Sequence, residues 1–205
     1  MNRIEEKLTM LKEKNQKAFI TYTTAGLPDL EGTKKLIRAQ EEAGVDLIEL
    51  GVPFSDPVAD GPVIQNASYQ AICKGVTLKK VFHTVEQMRA EGIQLVSPVS
   101  GKRIPKILEH ARGFVYCVSS MGVTGQAASF HKEVISYLTQ VKQVSKIPVM
   151  MGFGIREAQD VAPMKDIIDG AIVGSHFITL LEENNFSTIA ATNYCNKFKQ
   201  DLNNL

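Results

Sequence analysis

Short apolar runs alternate with amphipathic stretches along most of the chain. The apolar, β-prone runs lie at residues 18–23, 45–51, 93–97, 113–119, 147–152 and 169–174. Helical spacing of apolar positions predicts helices at 2–14, about 30–43, 63–73, 78–91, 102–111, 131–144, 157–164, 176–182 and 187–202. Six nearly continuous apolar strands that alternate with helices predict a parallel sheet with helices outside it.

Length and charge narrow the class of protein. The 205 residues fit one domain, and 23 basic against 22 acidic side chains give a net charge of +1. The basic residues are scattered and lack interleaved aromatics, so we expect no nucleic-acid partner. No run reaches the roughly 18 apolar residues of a membrane span, and the charged residues 1–16 contain no apolar stretch of the signal-peptide type. We therefore expect a soluble, cytoplasmic protein.

The three cysteines, Cys73, Cys117 and Cys195, have no metal-type spacing and form an odd count. Reduced thiols in the cytosol are the simplest interpretation.

The strongest chemical signal is the segment at residues 47–62. Glu49 lies within an apolar strand, where a carboxylate is costly unless it is paired or functional. Burial would raise its pKa toward neutrality, which suits proton transfer. Asp60 follows on the loop after the same strand, where barrel active sites lie. The alternatives are a strand-end Glu49 that is solvated or salt-bridged, and an Asp60 that serves only the turn before Gly61.

Glycine-rich loops follow each of the last three predicted strands. They lie at residues 122–125, 152–155 and 174–175, each just before a predicted helix. Exposed backbone N–H groups and the helix dipole favour phosphate at such positions. One glycine pair is a weak signal, but three in succession predict a phosphate site.

Residues 49–61 closely resemble a segment of tryptophan synthase α subunits, and residues 113–119 resemble the sixth strand of that family. The glycine loops match its later loops in order, and the resemblance covers almost all of 1–92 and 95–205. It implies a lyase of tryptophan biosynthesis that splits indole-3-glycerol phosphate into indole and glyceraldehyde 3-phosphate without a cofactor.

The resemblance also implies roles for single residues. Glu49 matches the general acid–base, and Asp60 matches the carboxylate that stabilises positive charge at the indole nitrogen. Thr124 matches a mobile-loop threonine that closes over the site. The remaining matches are Tyr22 and Tyr116 for the indole pocket, and Gly125, Gly154, Gly174 and Ser175 for the phosphate; no metal ligand is implied.

The chain departs from the family after residue 94. Residues 95–98 resemble the end of the family's fifth strand, so two βα units are missing from a barrel of about 250 residues. The predicted fold is therefore α/β: one domain over 1–205, a shortened TIM-type barrel of about six parallel strands with helices outside, and an internal deletion at about 94/95. Removing whole units keeps the remaining strands parallel.

Six strands cannot keep the geometry of eight, because strand number, tilt and shear are linked. We expect either a smaller closed barrel or an open edge that pairs with a second copy. The resemblance implies the pyridoxal-phosphate β subunit as partner, contacted through residues 53–60, although the missing units supply much of that surface. Cleavage is expected to be weak or absent. The competing hypotheses are an inactive phosphate-binding scaffold and, against the evidence of residues 49–61, a different phosphate-binding barrel.

Overall fold

The computed structural model of the chain describes residues 2–55, 60–93, 96–98, 113–118, 127–152 and 154–205. Its strands are β1 (Ala18–Thr24), β2 (Leu47–Gly51), β3 (Val96–Pro98), β4 (Val115–Val118), β5 (Val149–Gly152) and β6 (Gly170–Val173). Its α-helices are α1 (Arg3–Glu13), α2 (Leu30–Glu42), α3 (Pro62–Cys73), α4 (Leu78–Ala90), α5 (Ala127–Val144), α6 (Ser175–Glu183) and α7 (Thr188–Asn203). A 3₁₀ helix spans Ala158–Met164.

The six strands form one sheet in the order β3-β2-β1-β6-β5-β4. All five pairings between neighbours are parallel, as the alternation of strands and helices predicts. Within the described ranges β3 and β4 have one neighbour each, so this ladder is open between them. The prediction of a shortened barrel with six parallel strands is confirmed, and β2 and β3, which flank the predicted deletion, pair directly.

The two faces of the sheet bury different clusters. Ile20, Leu47, Met150 and Ile172 form an inner cluster that packs against Leu8 and Leu11 of α1. The alternate strand residues point outward and join a larger core with the surrounding helices. This period-two alternation is that of a barrel wall, and α1 covers the inner face at the N-terminal end of the strands.

The ends of the helices follow local sequence signals. Asn2 caps α1 in a reciprocal pair with Glu5, whose backbone N–H donates to Asn2 Oδ1 at 3.0 Å. Asp29 caps α2 by accepting from the N–H of Gly32 at 2.7 Å. Helix α2 ends at Glu42, and Gly44 follows with φ of +84°, a left-handed conformation that glycine adopts without strain.

One of the predicted helices is of a different type in the structure, and another lies outside the described residues. The helix predicted at 157–164 is a 3₁₀ helix, and it contains Pro163, which lacks the N–H needed to continue an α-helical ladder. The helix predicted at 102–111 lies outside the described residues. None of the helices in the described ranges is long and apolar enough to cross a membrane.

Candidate active site

The register of β1 and β2 brings the first two candidate residues together. Tyr22 pairs with Glu49, and Thr24 pairs with Gly51, in adjacent parallel strands. All four residues lie on the inner face, toward the C-terminal ends of the strands, and continue the alternation of Ile20 and Leu47. A barrel places its chemistry at this end, because the loops that follow the strands converge there.

Glu49 is the most unusual side chain of the described fold. It is only 7% exposed, and its Oε1 atom has no hydrogen-bond partner within the described residues. Burial raises the pKa of Glu49 to about 7, because the apolar surroundings disfavour the charged form. The alternative of a solvated strand-end residue is therefore wrong, and no salt bridge to Glu49 occurs within the described residues. Such a carboxyl group can both give and take a proton near neutral pH.

Asp60 lies immediately before Gly61, the N-cap residue of α3. It is an exposed residue, and its backbone carbonyl accepts a hydrogen bond from Gln65 Nε2 at 2.8 Å. Partial burial of the carboxyl group raises the pKa of Asp60. Its charge acts on both Tyr22 and Tyr116, so the loop brings this carboxylate to the same end of the sheet as Glu49.

Two tyrosine rings lie across the ends of neighbouring strands. A Cβ atom added to Gly51 would overlap the ring and hydroxyl of Tyr22, and one added to Gly152 would overlap those of Tyr116. Both positions therefore require glycine for the close approach of a ring. Burial, followed by the charges of Glu49 and Asp60, raises the pKa of Tyr116, so both phenols stay protonated at neutral pH.

The structure describes three of the four residues that were predicted to bind phosphate. Gly174 is the N-cap of α6 without a side-chain cap, and Ser175 is the first residue of this helix. A Cβ on Gly174 would lie 3.8 Å from Tyr22 Cβ, which places this helix start beside the pocket. Gly154, with φ of +73°, follows β5 at the same end of the sheet. Thr124 and Gly125 lie outside the described residues.

The sequence reasoning missed two kinds of residue. It treated Gly152 only as part of a glycine loop, whereas the structure places it at the end of β5 beneath Tyr116. It also passed over Thr24, which is buried beside the site and has an Oγ1 atom without a hydrogen-bond partner in the described part of the chain. The alternation of side chains between the two faces of β1 could have indicated Thr24, since it lies on the same face as Ile20 and Tyr22.

An inner face with titratable and aromatic side chains at the C-terminal ends of parallel strands defines a protein of the (βα)-barrel class. A family model described as tryptophan synthase alpha chain matches residues 8–95 and, separately, residues 90–205. A tryptophan synthase alpha chain of Lachnospira eligens is 51% identical over 263 aligned positions, which cover 99% of this chain and 100% of that protein. One from Alkaliphilus metalliredigens is 35% identical and matches 89% of this chain and 90% of its own length.

Solved structures agree with these relatives. The crystal structure of tryptophan synthase alpha chain from Legionella pneumophila superposes with a TM-score of 0.83 at 26% identity, covering 100% of this chain and 98% of that one. The chain belongs to the tryptophan synthase alpha chain family. At 205 residues it is a shortened member, because the alignment to the Lachnospira eligens protein runs over 263 positions.

Proposed function

We propose that the chain cleaves indole-3-glycerol phosphate into indole and glyceraldehyde 3-phosphate by a retro-aldol reaction. One observation carries the proposal: Glu49 is buried without a hydrogen-bond partner for Oε1 in the described fold, and its pKa is about 7. Carbon–carbon cleavage requires a proton placed on indole C3 and another removed from the glycerol hydroxyl group. A carboxyl group that titrates near neutral pH serves both transfers.

The other site residues complete this reaction. Asp60 would stabilise the positive charge that develops at the indole nitrogen, which is electrostatic preorganisation. Tyr22 and Tyr116 would form walls of the indole pocket, since their rings closely approach Gly51 and Gly152 at the strand ends. Thr124 would close over the substrate and contact Asp60.

The phosphate would bind at the start of α6. The first backbone N–H groups of a helix have no intrahelical acceptor and lie at the positive end of its dipole. Gly174 provides no side-chain cap for them, so an anion can take that place together with the Ser175 hydroxyl. Gly154 and Gly125 would allow the preceding loops to approach the phosphate closely. This subsite depends on α6 and β6, which are distant from the missing units.

We place the deletion at about 94/95, within a single domain over residues 1–205. The family matches support this position, because one ends at residue 95 and the other begins at residue 90. The missing units would supply walls of the indole pocket. Since a displacement of about 1 Å can lower a rate about 100-fold, we expect weak or no cleavage and better retention of phosphate binding.

The second candidate function is a phosphate-binding scaffold without turnover. The open ladder between β3 and β4 favours it, because this gap lies next to the pocket in the described sheet. The intact pair of Glu49 and Asp60 favours the enzyme. The two proposals differ in one property, which is whether carbon–carbon cleavage survives with the carboxylates in place.

Two protein partners follow from the proposal. The first is the β subunit of tryptophan synthase, which would contact residues 53–60 of this chain. That contact requires that enough of this chain's surface for the β subunit is retained. The second is another copy of this chain, which would pair with the exposed edge of β3 or β4. A mass twice that of the chain in light scattering is expected for self-association, and a monomer at all concentrations would contradict it.

We place the reaction in the cytoplasm. Cys73, Cys117 and Cys195 are free thiols, as is usual in a reducing compartment.

The decisive assay is indole release from indole-3-glycerol phosphate by the purified chain. The variants are Glu49→Gln and Asp60→Asn, and Glu42→Gln on the exposed face of α2 is the matched control. Release that persists in Glu42→Gln and disappears in Glu49→Gln supports the enzyme. No release from any protein, with retained binding of glycerol phosphate, supports the scaffold. Equal release from Glu49→Gln and the parent chain would refute the mechanism.

A further inference from the structure

Three polar side chains share the inner face at the ends of β1 and β2. Tyr22 pairs with Glu49, and Thr24 is two residues beyond Tyr22, opposite Gly51. Thr24 is 1% exposed and Glu49 is 7% exposed. Thr24 Oγ1 and Glu49 Oε1 are both without a hydrogen-bond partner in the described ranges. Buried polar atoms are nearly always satisfied, so two adjacent exceptions indicate a shared interaction.

The Tyr22 hydroxyl lies close to both unpartnered atoms, Thr24 Oγ1 and Glu49 Oε1. Its overlap with a Cβ built on Gly51 places the phenol oxygen over the backbone at the end of β2. Gly51 is flanked by Thr24 across the strand pair, and Glu49 precedes it by two residues on the same face. The hydroxyl is therefore near both the Thr24 hydroxyl and the Glu49 carboxyl, and both groups act on its pKa.

A phenol can accept one hydrogen bond and donate another. We propose that Tyr22 is a positioning residue for Glu49: its oxygen accepts from Thr24 Oγ1, and its O–H donates to the ionised Glu49 carboxylate. The order of donors is fixed, because an ionised carboxylate can only accept. The catalytic consequence rests on the proposed function, whereas the hydrogen-bonded chain does not.

The charges around the phenol agree with this direction. Burial raises the pKa of Tyr22 to about 12; the neighbouring Thr24 hydroxyl opposes the rise, and the Asp60 and Glu49 charges add to it. Tyr116, which also faces the pocket, has a raised pKa too and stays neutral. Tyr22 therefore keeps a proton to donate throughout the range in which Glu49 titrates. A hydrogen bond donated by Tyr22 would stabilise the ionised form of Glu49. It would therefore oppose burial, which favours the protonated form.

The test is the titration of the Glu49 carboxyl carbon by ¹³C NMR in the full chain, with Glu49→Gln to assign the signal. Tyr22→Phe removes only the hydroxyl and should raise the pKa of Glu49 by about one unit, the size expected for one hydrogen bond to a charge. Thr24→Val should raise it less, and Thr24→Ser should leave it unchanged. The double variant Tyr22→Phe/Thr24→Val should match Tyr22→Phe alone, because Thr24 acts through the phenol.

Two matched controls distinguish the proposed hydrogen bonds among Thr24, Tyr22 and Glu49 from a general effect of removing a hydroxyl group. Tyr194→Phe removes a phenol that donates to the carbonyl of Arg156 at 2.7 Å, outside the site. Thr23→Val removes a buried hydroxyl from the outer face of β1, which faces Gln40. Neither should move the Glu49 titration.

An unchanged pKa of Glu49 in Tyr22→Phe would overturn the proposal, and so would additive shifts in the double variant. The readout needs no turnover, so it is independent of the proposed reaction. A shift in Tyr22→Phe without indole release from the parent chain would uphold this inference and refute the enzyme. Indole release from the parent chain, with an unchanged Glu49 pKa in Tyr22→Phe, would support the enzyme and refute this inference.

Discussion

Two buried carboxylates, Asp46 just before β2 and Glu49 within it, have opposite surroundings. Asp46, just before the strand, is 3% exposed, accepts from the backbone N–H of Phe19 at 2.8 Å, and forms ion pairs with Lys7 and Lys199. Glu49 is 7% exposed, and the described residues provide no partner for its Oε1. The two side chains are equally hidden from water but differ in how their charge is compensated.

The difference separates stability from chemistry along a single strand. The paired Asp46 joins β1, β2, α1 and α7 at the N-terminal end of the sheet, where barrel folds keep their structural interactions. An unpaired buried carboxyl group destabilises the fold when it ionises, and it persists where it has a function. The predictions that follow test this contrast, beginning with the largest effect.

Replacing Asp46 by Ala should be the most damaging single change. It leaves the half-buried Lys199 ammonium without its ion pair and the N–H of Phe19 without an acceptor. Breaking a buried pair from one side typically costs about 3–5 kcal/mol. Urea denaturation at pH 7 should show this loss in the free energy of unfolding. A loss below about 1 kcal/mol would mean that Asp46 does not anchor this end of the sheet.

Glu49→Gln should instead stabilise the chain, but only above the pH at which Glu49 ionises in the unfolded state. Burial raises the folded pKa from 4.5 to about 7, so the unfolded chain releases this proton first. Stability therefore falls as pH rises from about 4.5 to 7, by roughly 3 kcal/mol in all. The variant lacks this loss, so its advantage should grow through that window and stay constant above it.

Thermal unfolding of both proteins at pH 4.5, 6 and 8 measures the effect. A difference between them that is independent of pH would contradict the raised pKa.

Gly51→Ala should destabilise the fold by about 1–2 kcal/mol, because the new methyl group meets the Tyr22 ring. Gly61→Ala is the matched control, since a Cβ there meets nothing within 4 Å; any loss comes from the weaker N-cap of α3 and should be the same with Tyr22 or Leu at position 22. A double-mutant cycle with Tyr22→Leu should recover most of the Gly51→Ala loss. Equal losses in both Tyr22 backgrounds would show that the ring is not the obstacle.

The sequence predicted the wall of the barrel well, because the apolar alternation of each strand is local information. The strand at Ala18–Thr24 and the helix at Leu30–Glu42 needed only their own composition and the glycine at position 44. The strand predicted at 93–97 is Val96–Pro98 in the structure, and residues 94 and 95 lie outside the described residues.

The candidate site was harder to predict, because its contacts join residues that are distant in sequence. The motif at residues 49–61 indicated Glu49 and Asp60, but nothing local shows that Glu49 Oε1 lacks a hydrogen-bond partner among the described residues. The approach of Tyr22 to Gly51 and of Tyr116 to Gly152 depends on strand order and register. Those follow from folding of the whole sheet, which the alternation of strand residues does not specify.

The most direct test of the contrast along β2 is the titration of Glu49 in the intact chain, followed by its ¹³C carboxyl shift from pH 3 to 10. The account predicts a midpoint near 7, caused by burial without full compensation of the charge. A midpoint near the ordinary value of about 4.3 would contradict it. Glu49 would then be a solvated or paired carboxylate, with no special capacity for proton transfer at neutral pH.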